Sequence, residues 1–379
     1  MELLGQTVYN FIMNQKRIHK VATALQQQGL DWLAIVPSPS MIYLSGIHTH
    51  MSERPIVLFV SNTGETGIII PALEAMKAEA AGIASANIFA WTDQEGYHGA
   101  FAKAAQALGL NGSKIGVEAL KMRVLENDLL VEMARSQISH ADNLMDAIRL
   151  SKDADEIAAM QTAVDVAEAA MEKFLPTIKI GMTEKQLATR LTQMLLDEGA
   201  DSMAFGPIVS AGPDNTASPH ATPTHRPIQA GDLLIIDWGV YVGDYVSDIT
   251  RTYAVGEISA ECKKVYATVK ASNAAGVAAS QPNATGEAID TASRDVIDQA
   301  GYGEYFIHRT GHGLGMEAHE SPSLVEGNSN PLPVGAAFTV EPGIYIPGVG
   351  GVRIEDDIIL TEDGHICLTS ISRELIVVG

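Results

Sequence analysis

The sequence predicts an α/β domain over residues 1–150 followed by an α+β domain over residues 151–379. Three observations carry this. Up to residue 150, short apolar runs bounded by turn residues alternate with helical stretches, the pattern of an α/β domain with a largely covered sheet. At Ser151–Glu156 the chain turns polar, and Asp153 with Glu156 resembles a capping box that opens a new helix. Beyond it, strands come as hairpins among long helices, which predicts one curved antiparallel sheet with helices packed on one side.

In the first domain the strand-like runs are Trp32–Val36, Pro55–Val60, Ile68–Ile70, Asn87–Trp91 and Lys114–Val117. The helical stretches between them are Ala72–Ala81, Tyr97–Leu108 and Val124–Ala134. No polar groups there combine into a catalytic set. In the second domain the first helix carries Ile157, Met160, Val164, Ala167, Met171 and Phe174. Steps of three and four residues mark one buried face, and Pro176 ends the helix. A second helix begins at Thr183 with Gln186 as capping partner and stops at Gly199. Two more fit Ser259–Ser280 and Thr285–Ala300. No internal repeat or low-complexity segment stands out.

The 379 residues suit two domains on a prior of about 150 residues each. The formal charge is −21, from 25 basic and 46 acidic residues, which argues against nucleic acid and anionic membrane as partners. Most of this acidity is a solubility feature, and a part is available for cations. Cys262 and Cys367 have no paired spacing, so neither a disulfide framework nor a zinc knuckle is expected. Lys16 and Arg17 follow a short apolar stretch with no small-residue cleavage site, so no signal peptide is expected. No apolar run approaches the roughly 20 residues of a membrane span. These features together predict a cytoplasmic protein.

Chemistry concentrates in LLIIDWGVYVGDYVSDITRTY, Leu233–Tyr253, read as two apolar strands and a tight turn. With a regular turn centred on Val242–Gly243, Asp237 and Asp248 face each other. Directly opposed side chains lie roughly 5 Å apart at Cβ, and like charges there repel. Such a pair needs a shared proton or a cation. Phe338–Ile358 holds a counterpart, with Glu341 and Glu355 equally spaced from Gly348. A single acidic residue is normally a solvated one; four within apolar strand sequence are harder to explain that way. A third piece, HRTGHGLGMEAHE, carries His308, His312 and His319. Gly311, Gly313 and Gly315 disfavour a helix and suit a strand or loop beside a ligand. A phosphate loop is a weak reading, because no Lys-Ser/Thr follows. Four carboxylates and one neutral imidazole form a hard, mostly oxygen donor set suited to Mn²⁺, Co²⁺, Fe²⁺ or Zn²⁺. Two divalent ions would cancel four carboxylates, held about 3.5 Å apart by bridging groups.

These stretches resemble the metallopeptidases with the pita-bread fold: Xaa-Pro dipeptidase (prolidase), aminopeptidase P and methionine aminopeptidase. The matching text is IIDWGVYVGDYVSDITRT, HRTGHGLGMEAHESP and TVEPGIYIPGVGGVRIEDD, with IVSAGPDNTASPHATPTHRPIQAGD before the strand of Asp237. It stands in the family's order over about residues 150–379. Residues 1–150 resemble, less specifically, the creatinase/prolidase N-terminal domain. The resemblance implies metal ligands Asp237, Asp248, His312, Glu341 and Glu355. Asp237 would serve one metal and His312 the other, with Asp248 and Glu355 bridging. Glu341 would also handle the proton of the attacking water. His220 would contact the substrate, His319 would help stabilise the tetrahedral intermediate, and His308 would be a further site histidine. Arg353 could orient the carboxylates by a forked hydrogen bond. Tyr245 and Thr250 flank the same hairpin, where a structural role is as good a reading. His225 departs from the Asp common in relatives, outside the ligand set.

The implied activity is hydrolysis of the bond preceding proline, by an Xaa-Pro dipeptidase or Xaa-Pro aminopeptidase. The substrate would be a short peptide with proline second, and the cofactors two divalent ions with Mn²⁺ the first choice. The N-terminal domain favours the proline-directed branch and a homodimer, with His48 and His50 as candidates for reaching a neighbour's site. Two surface loop histidines are the plainer reading of that pair. Two other classes stay open: a creatinase-like hydrolase or lyase of a small zwitterion on the same fold, and a non-enzymatic binding protein.

Overall fold

A computed structural model describes residues 13–379. Most of the apolar stretch ahead of Lys16 lies outside the described residues. The chain divides into two units between Arg149 and Leu150.

In the first unit the apolar runs become β1 (Trp32–Ile35), β2 (Val57–Ser61), β3 (Thr66–Pro71), β4 (Ile88–Trp91) and β5 (Lys114–Val117). A sixth strand, β6 (Gln137–His140), completes a sheet of order β4-β3-β2-β1-β5-β6. The β1–β2 and β2–β3 pairs are antiparallel and the rest parallel. The helices are α1 (Gln15–Gln28), α2 (Pro39–Ser45), α3 (Ala75–Ala80), α4 (His98–Ala107), α5 (Val124–Ala134) and α6 (Asp142–Leu150). Trp32, Phe59, Phe101, Leu129 and Leu130 meet in the core between sheet and helices. His48 and His50 lie in the loop between α2 and β2. The His48 ring donates to the Gly46 carbonyl at 3.0 Å, and its own carbonyl accepts from Lys77 at 2.8 Å.

In the second unit both capping boxes form. Asp153 accepts from the N–H groups of Asp155 and Glu156 while the Glu156 side chain returns to the Asp153 N–H, opening α7 (Ala154–Phe174). Thr183 and Gln186 do the same for α8 (Glu184–Asp197). The remaining helices are α9 (Gly212–Asn215), α10 (Ala260–Ala279) and α11 (Gly286–Gln299). The strands are β7 (Ser202–Met203), β8 (Ile208–Ala211), β9 (Leu233–Trp238), β10 (Val240–Val242), β11 (Tyr245–Val246), β12 (Ile249–Val255), β13 (Gly311–Gly313), β14 (Glu320–Leu324), β15 (Ala337–Val340), β16 (Gly343–Ile346), β17 (Gly350–Arg353), β18 (Asp356–Leu360), β19 (His365–Cys367) and β20 (Val377–Val378). All pairings are antiparallel except β12–β20, and the ladders are interrupted into four hydrogen-bonded segments.

Alternation along β9 sends Leu234, Ile236 and Trp238 to one face, where they pack with Met160, Val164, Phe174 and Leu191 of α7 and α8. Each such fully buried side chain contributes roughly 1.5–3 kcal/mol. The Trp238 indole also donates to the Ala167 carbonyl at 3.1 Å, which ties the strand to α7. The opposite face of β9 therefore presents Asp237.

The register of the first hairpin differs from expectation. Asp237 pairs with Thr250, not Asp248, and the two-residue turn is Gly243-Asp244. Such a turn takes a residue of positive φ, and Gly243 supplies 62°. Moving the turn by one residue shifts each pairing by two positions, so every side chain keeps its face. The two aspartates become diagonal neighbours. In the second hairpin the expected register holds on both sides of a gap, with Val340 opposite Asp356 and Gly343 opposite Arg353. Glu341 and Glu355 stand opposed in the gap between the β15–β18 and β16–β17 ladders. Among the described residues, no helix is long and apolar enough to cross a membrane.

Candidate metal centre and active site

The nine residues singled out by the sequence line one cavity of about 600 Å³: Asp237, Asp248, His312, Glu341 and Glu355 with His220, His308, His319 and Arg353. Ala204, Phe205, Ile208 and Pro219 form much of its remaining wall. Within it, Asp248, His312 and Glu355 each bring one donor atom within 4.8 Å of the other two. His312 Nε2 lies 3.7 Å from Asp248 Oδ2 and 3.4 Å from Glu341 Oε1. Its Nδ1 donates to the Gly313 carbonyl at 3.1 Å, which leaves Nε2 as the free lone pair.

Asp237 stands apart from that trio. Arg353 Nη2 donates to its Oδ2 at 2.6 Å, while Oδ1 is buried without a hydrogen-bond partner. The other Arg353 nitrogens go elsewhere: Nε to Thr250 Oγ1 at 3.1 Å, Nη1 to the Tyr345 hydroxyl at 2.9 Å and the Pro219 carbonyl at 3.2 Å. The guanidinium thus grips one carboxylate, without the expected fork, and fixes the backbone beside His220. The Tyr345 hydroxyl meets His308 Nε2 at 2.9 Å, and His308 Nδ1 donates to the Arg309 carbonyl at 2.7 Å. Protons in this chain run from Arg353 through Tyr345 to a neutral His308, whose ring nitrogens are both occupied. Thr250 donates to Glu355 Oε2 at 2.5 Å. Tyr245 turns away from the cavity and donates to Glu156 at 2.8 Å, a structural role. His225 is exposed beside Lys185, outside the cavity.

Electrostatics set these groups against one another. Burial, then Glu355 and Asp237, raises the Asp248 carboxyl well above the ordinary range. Burial, then Glu341 and Asp237, does the same to Glu355. Burial pushes Glu341 up to about 7, with Arg353 opposing, and raises Asp237 against the same guanidinium. Burial lowers His312 to about 3, helped by His319, and His308 to about 4. Crowded carboxylates that hold protons only for want of a counter-charge, a neutral imidazole and an unpartnered Asp237 oxygen fit a divalent cation.

Two contributors escaped the sequence reading. Tyr345 lies two residues beyond Gly343 on β16, in step with Glu341, so period-two alternation from Glu341 would have pointed to it. Asp357 accepts the Asp248 N–H at 3.1 Å; nothing in its DDII context separates it from its neighbours.

Residues 158–362 match the model of metallopeptidase family M24, and residues 17–151 match the creatinase/prolidase N-terminal domain. Among solved structures, the chain is similar to dipeptidase PepE from Mycobacterium ulcerans at 34% identity, covering 96% of this chain and 97% of that one with TM-score 0.88. It is similar to a prolidase from Thermococcus sibiricus at 36% identity, covering 97% and 100% with TM-score 0.90. For an Xaa-Pro dipeptidase from Bacillus anthracis the values are 33% identity, 96% and 99% coverage, and TM-score 0.87. With its cluster of buried acids and histidine on a pita-bread framework, the chain belongs to metallopeptidase family M24 and is a peptide-hydrolysing enzyme.

Proposed function

We propose that the chain hydrolyses the peptide bond preceding proline in short peptides, as an Xaa-Pro dipeptidase or Xaa-Pro aminopeptidase. The observation that carries this is the mixed lining of the cavity. Buried carboxylates and a neutral imidazole share it with the apolar Ala204, Phe205, Ile208 and Pro219. An apolar lining accepts the pyrrolidine ring, and a bond to proline offers no N–H at the scissile nitrogen. The names of the prolidase and Xaa-Pro dipeptidase relatives favour the same substrate.

Asp237, Asp248, His312, Glu341 and Glu355 would hold two divalent cations, Mn²⁺ first and Co²⁺, Zn²⁺ or Fe²⁺ as alternatives. Asp237 and His312 would each serve one, and Asp248 and Glu355 would be shared. When bound, the cations polarise the scissile carbonyl and lower the pKa of a water. Glu341 takes the proton of that water and passes it to the leaving amine. His220 and His319 offer N–H donors to the carbonyl oxygen as negative charge develops there. Arg353 keeps Asp237 aimed and favours its ionised form against burial, with Tyr345 and His308 behind it. Residues 151–379 would be the catalytic domain and residues 1–150 the creatinase/prolidase N-terminal-like domain of a cytoplasmic homodimer, a state that sedimentation would read.

The test offers Mn²⁺-loaded protein Xaa-Pro dipeptides, longer Xaa-Pro-Yaa peptides and matched peptides without proline. Selective cleavage before proline is expected. Equal rates on peptides without proline would sink the specificity, and no cleavage with two metals bound would point to a non-peptide substrate.

A further inference from the structure

We infer that Lys152 and Glu320 form a positioning pair for the loop that carries His319. The inference rests on the proposed role of His319 at the substrate carbonyl. Glu320 folds back on its own loop: Oε1 accepts the N–H groups of Met316 at 2.8 Å and Glu317 at 3.0 Å. Its Oε2 takes the Lys152 ammonium at 3.1 Å. Both side chains are shielded from solvent, at 1% and 6% exposure. The lysine is itself anchored. Its N–H donates to the Gly335 carbonyl at 2.8 Å, and Ser151 beside it donates to the Val334 carbonyl at 2.6 Å.

The pair also explains the last glycine of the GHGLG stretch. A Cβ on Gly315 would meet Lys152 Cε at 2.8 Å and both Glu320 oxygens at 3.1 Å, so a side chain there would press directly on the ion pair. The first hairpin adds two ties: the Val246 N–H donates to the Gly315 carbonyl at 2.8 Å, and the Tyr241 hydroxyl donates to the Met316 carbonyl at 3.2 Å. Residues 315–317 are therefore held from three directions. His319 follows after Ala318, with its ring edge-on to His312 at 4.2 Å between centroids. Neither Lys152 nor Glu320 lines the cavity. They act through His319: without the ammonium, Glu320 keeps its charge in a shielded place and is drawn out toward water. The Met316 and Glu317 amides then lose their acceptor.

The experiment compares Lys152→Met, Lys152→Arg and Lys152→Met/Glu320→Gln by amide hydrogen exchange over residues 314–321, by bound Mn²⁺ and by kcat and KM on an Xaa-Pro dipeptide. In Lys152→Met, exchange at Met316 and Glu317 is expected to rise. Its kcat is expected to fall roughly 10- to 100-fold, the usual range for groups behind a site. KM is expected to move less than about threefold with Mn²⁺ binding unchanged, the sign of an interaction made in the transition state. Lys152→Arg restores most of the kcat, and the charge-neutral double variant restores part. Unchanged exchange in Lys152→Met overturns the inference, and so does a kcat loss matched by loss of Mn²⁺. His319→Ala separates the two claims, because full kcat in that variant removes the reading of His319 and the inference with it. Should Lys152→Met fail to fold, the charge-neutral Lys152→Met/Glu320→Gln and Lys152→Met/Glu320→Ala proteins carry the test. The glutamine is expected to protect the two amides and the alanine to expose them, and equal protection overturns the pair.

Discussion

In the first acid-bearing hairpin the β9–β12 ladder runs across Asp237 and stops short of Asp248, whereas in the second the ladder is broken at both Glu341 and Glu355. The difference decides what holds each acid. Asp237 has the backbone of its own sheet beneath it and needs only a side-chain partner, Arg353. The acids at breaks have N–H groups freed from their ladders, and other strands take these up. Asp248 donates to the Asp357 carboxylate at 3.1 Å, Glu355 to the Thr250 carbonyl at 3.1 Å and Glu341 to the Thr310 carbonyl at 2.8 Å. Arg251 completes the cross-linking through the Glu355 carbonyl at 2.5 Å, the Asp356 carboxylate at 2.8 Å and the carbonyls of Ile371 at 2.8 Å and Ser372 at 3.1 Å. Buried backbone groups must find partners. Here those partners lock each hairpin to the other around the acids.

The largest effect is expected at a break. Asp248→Asn should keep the fold, lose at least one bound metal and lower kcat/KM by at least about 100-fold, more than a group behind the ligands would cost. Metal content and kinetics on the same sample check this, and an active Asp248→Asn protein with two metals would falsify the bridging role proposed for Asp248. Within the intact ladder the effect should be one of charge. Arg353→Met leaves Asp237 buried without its partner and should destabilise the protein by about 3–5 kcal/mol, whereas Thr250→Val should cost less. Denaturant unfolding reads both, and equal losses would mean that the guanidinium is not what holds Asp237.

The smallest effect is that of pH on the metal-free protein. Asp248, Glu341 and Glu355 have raised carboxyls, so the folded state binds more protons than the unfolded one and stability falls as pH rises. The lowered histidines His308, His312 and His319 work the other way, mainly below about 7.5, where an unfolded histidine is still partly charged. Between about pH 7.5 and 8.5 an unfolded histidine is mostly neutral, so the raised carboxyls dominate, and each proton the folded state holds in excess gives a loss of about 1.4 kcal/mol per pH unit. Mn²⁺ should reverse the slope, because it competes with those protons. A flat profile for the metal-free protein over this range would mean that the acids are not crowded as described.

The four acids stand out in the sequence because carboxylates are rare in apolar strands, whereas three histidines lie among or beside the glycines and the choice of His312 rests on the resemblance alone. Capping residues gave away α7 and α8: Asp153, Glu156, Thr183 and Gln186 have one obvious use each. Symmetry about Gly348 read the second register correctly. Symmetry between Asp237 and Asp248 misread the first, because backbone φ at Gly243 outranked the spacing of the acids. Strand β6 is half polar and α2 is a short apolar run, so neither has a period long enough to declare itself. Tyr345 is within reach of period-two alternation from Glu341, but Asp357, Lys152 and Glu320 act through partners far along the chain, and no local pattern encodes such a pairing.

Arg251 gives the protein a timetable. Two of its acceptors, Ile371 and Ser372, come after every acid it helps to lock, and those acids are spread over more than a hundred positions before them. A nascent chain can pair α7 with α8 and α10 with α11 early, since those contacts are local. It cannot lock those acids until Ile371 and Ser372 have been made, and a chain cut at residue 369 is expected to fold loosely around idle acids, which limited proteolysis would read. Degradative power of this kind is then withheld from a nascent chain that has not reached Ser372.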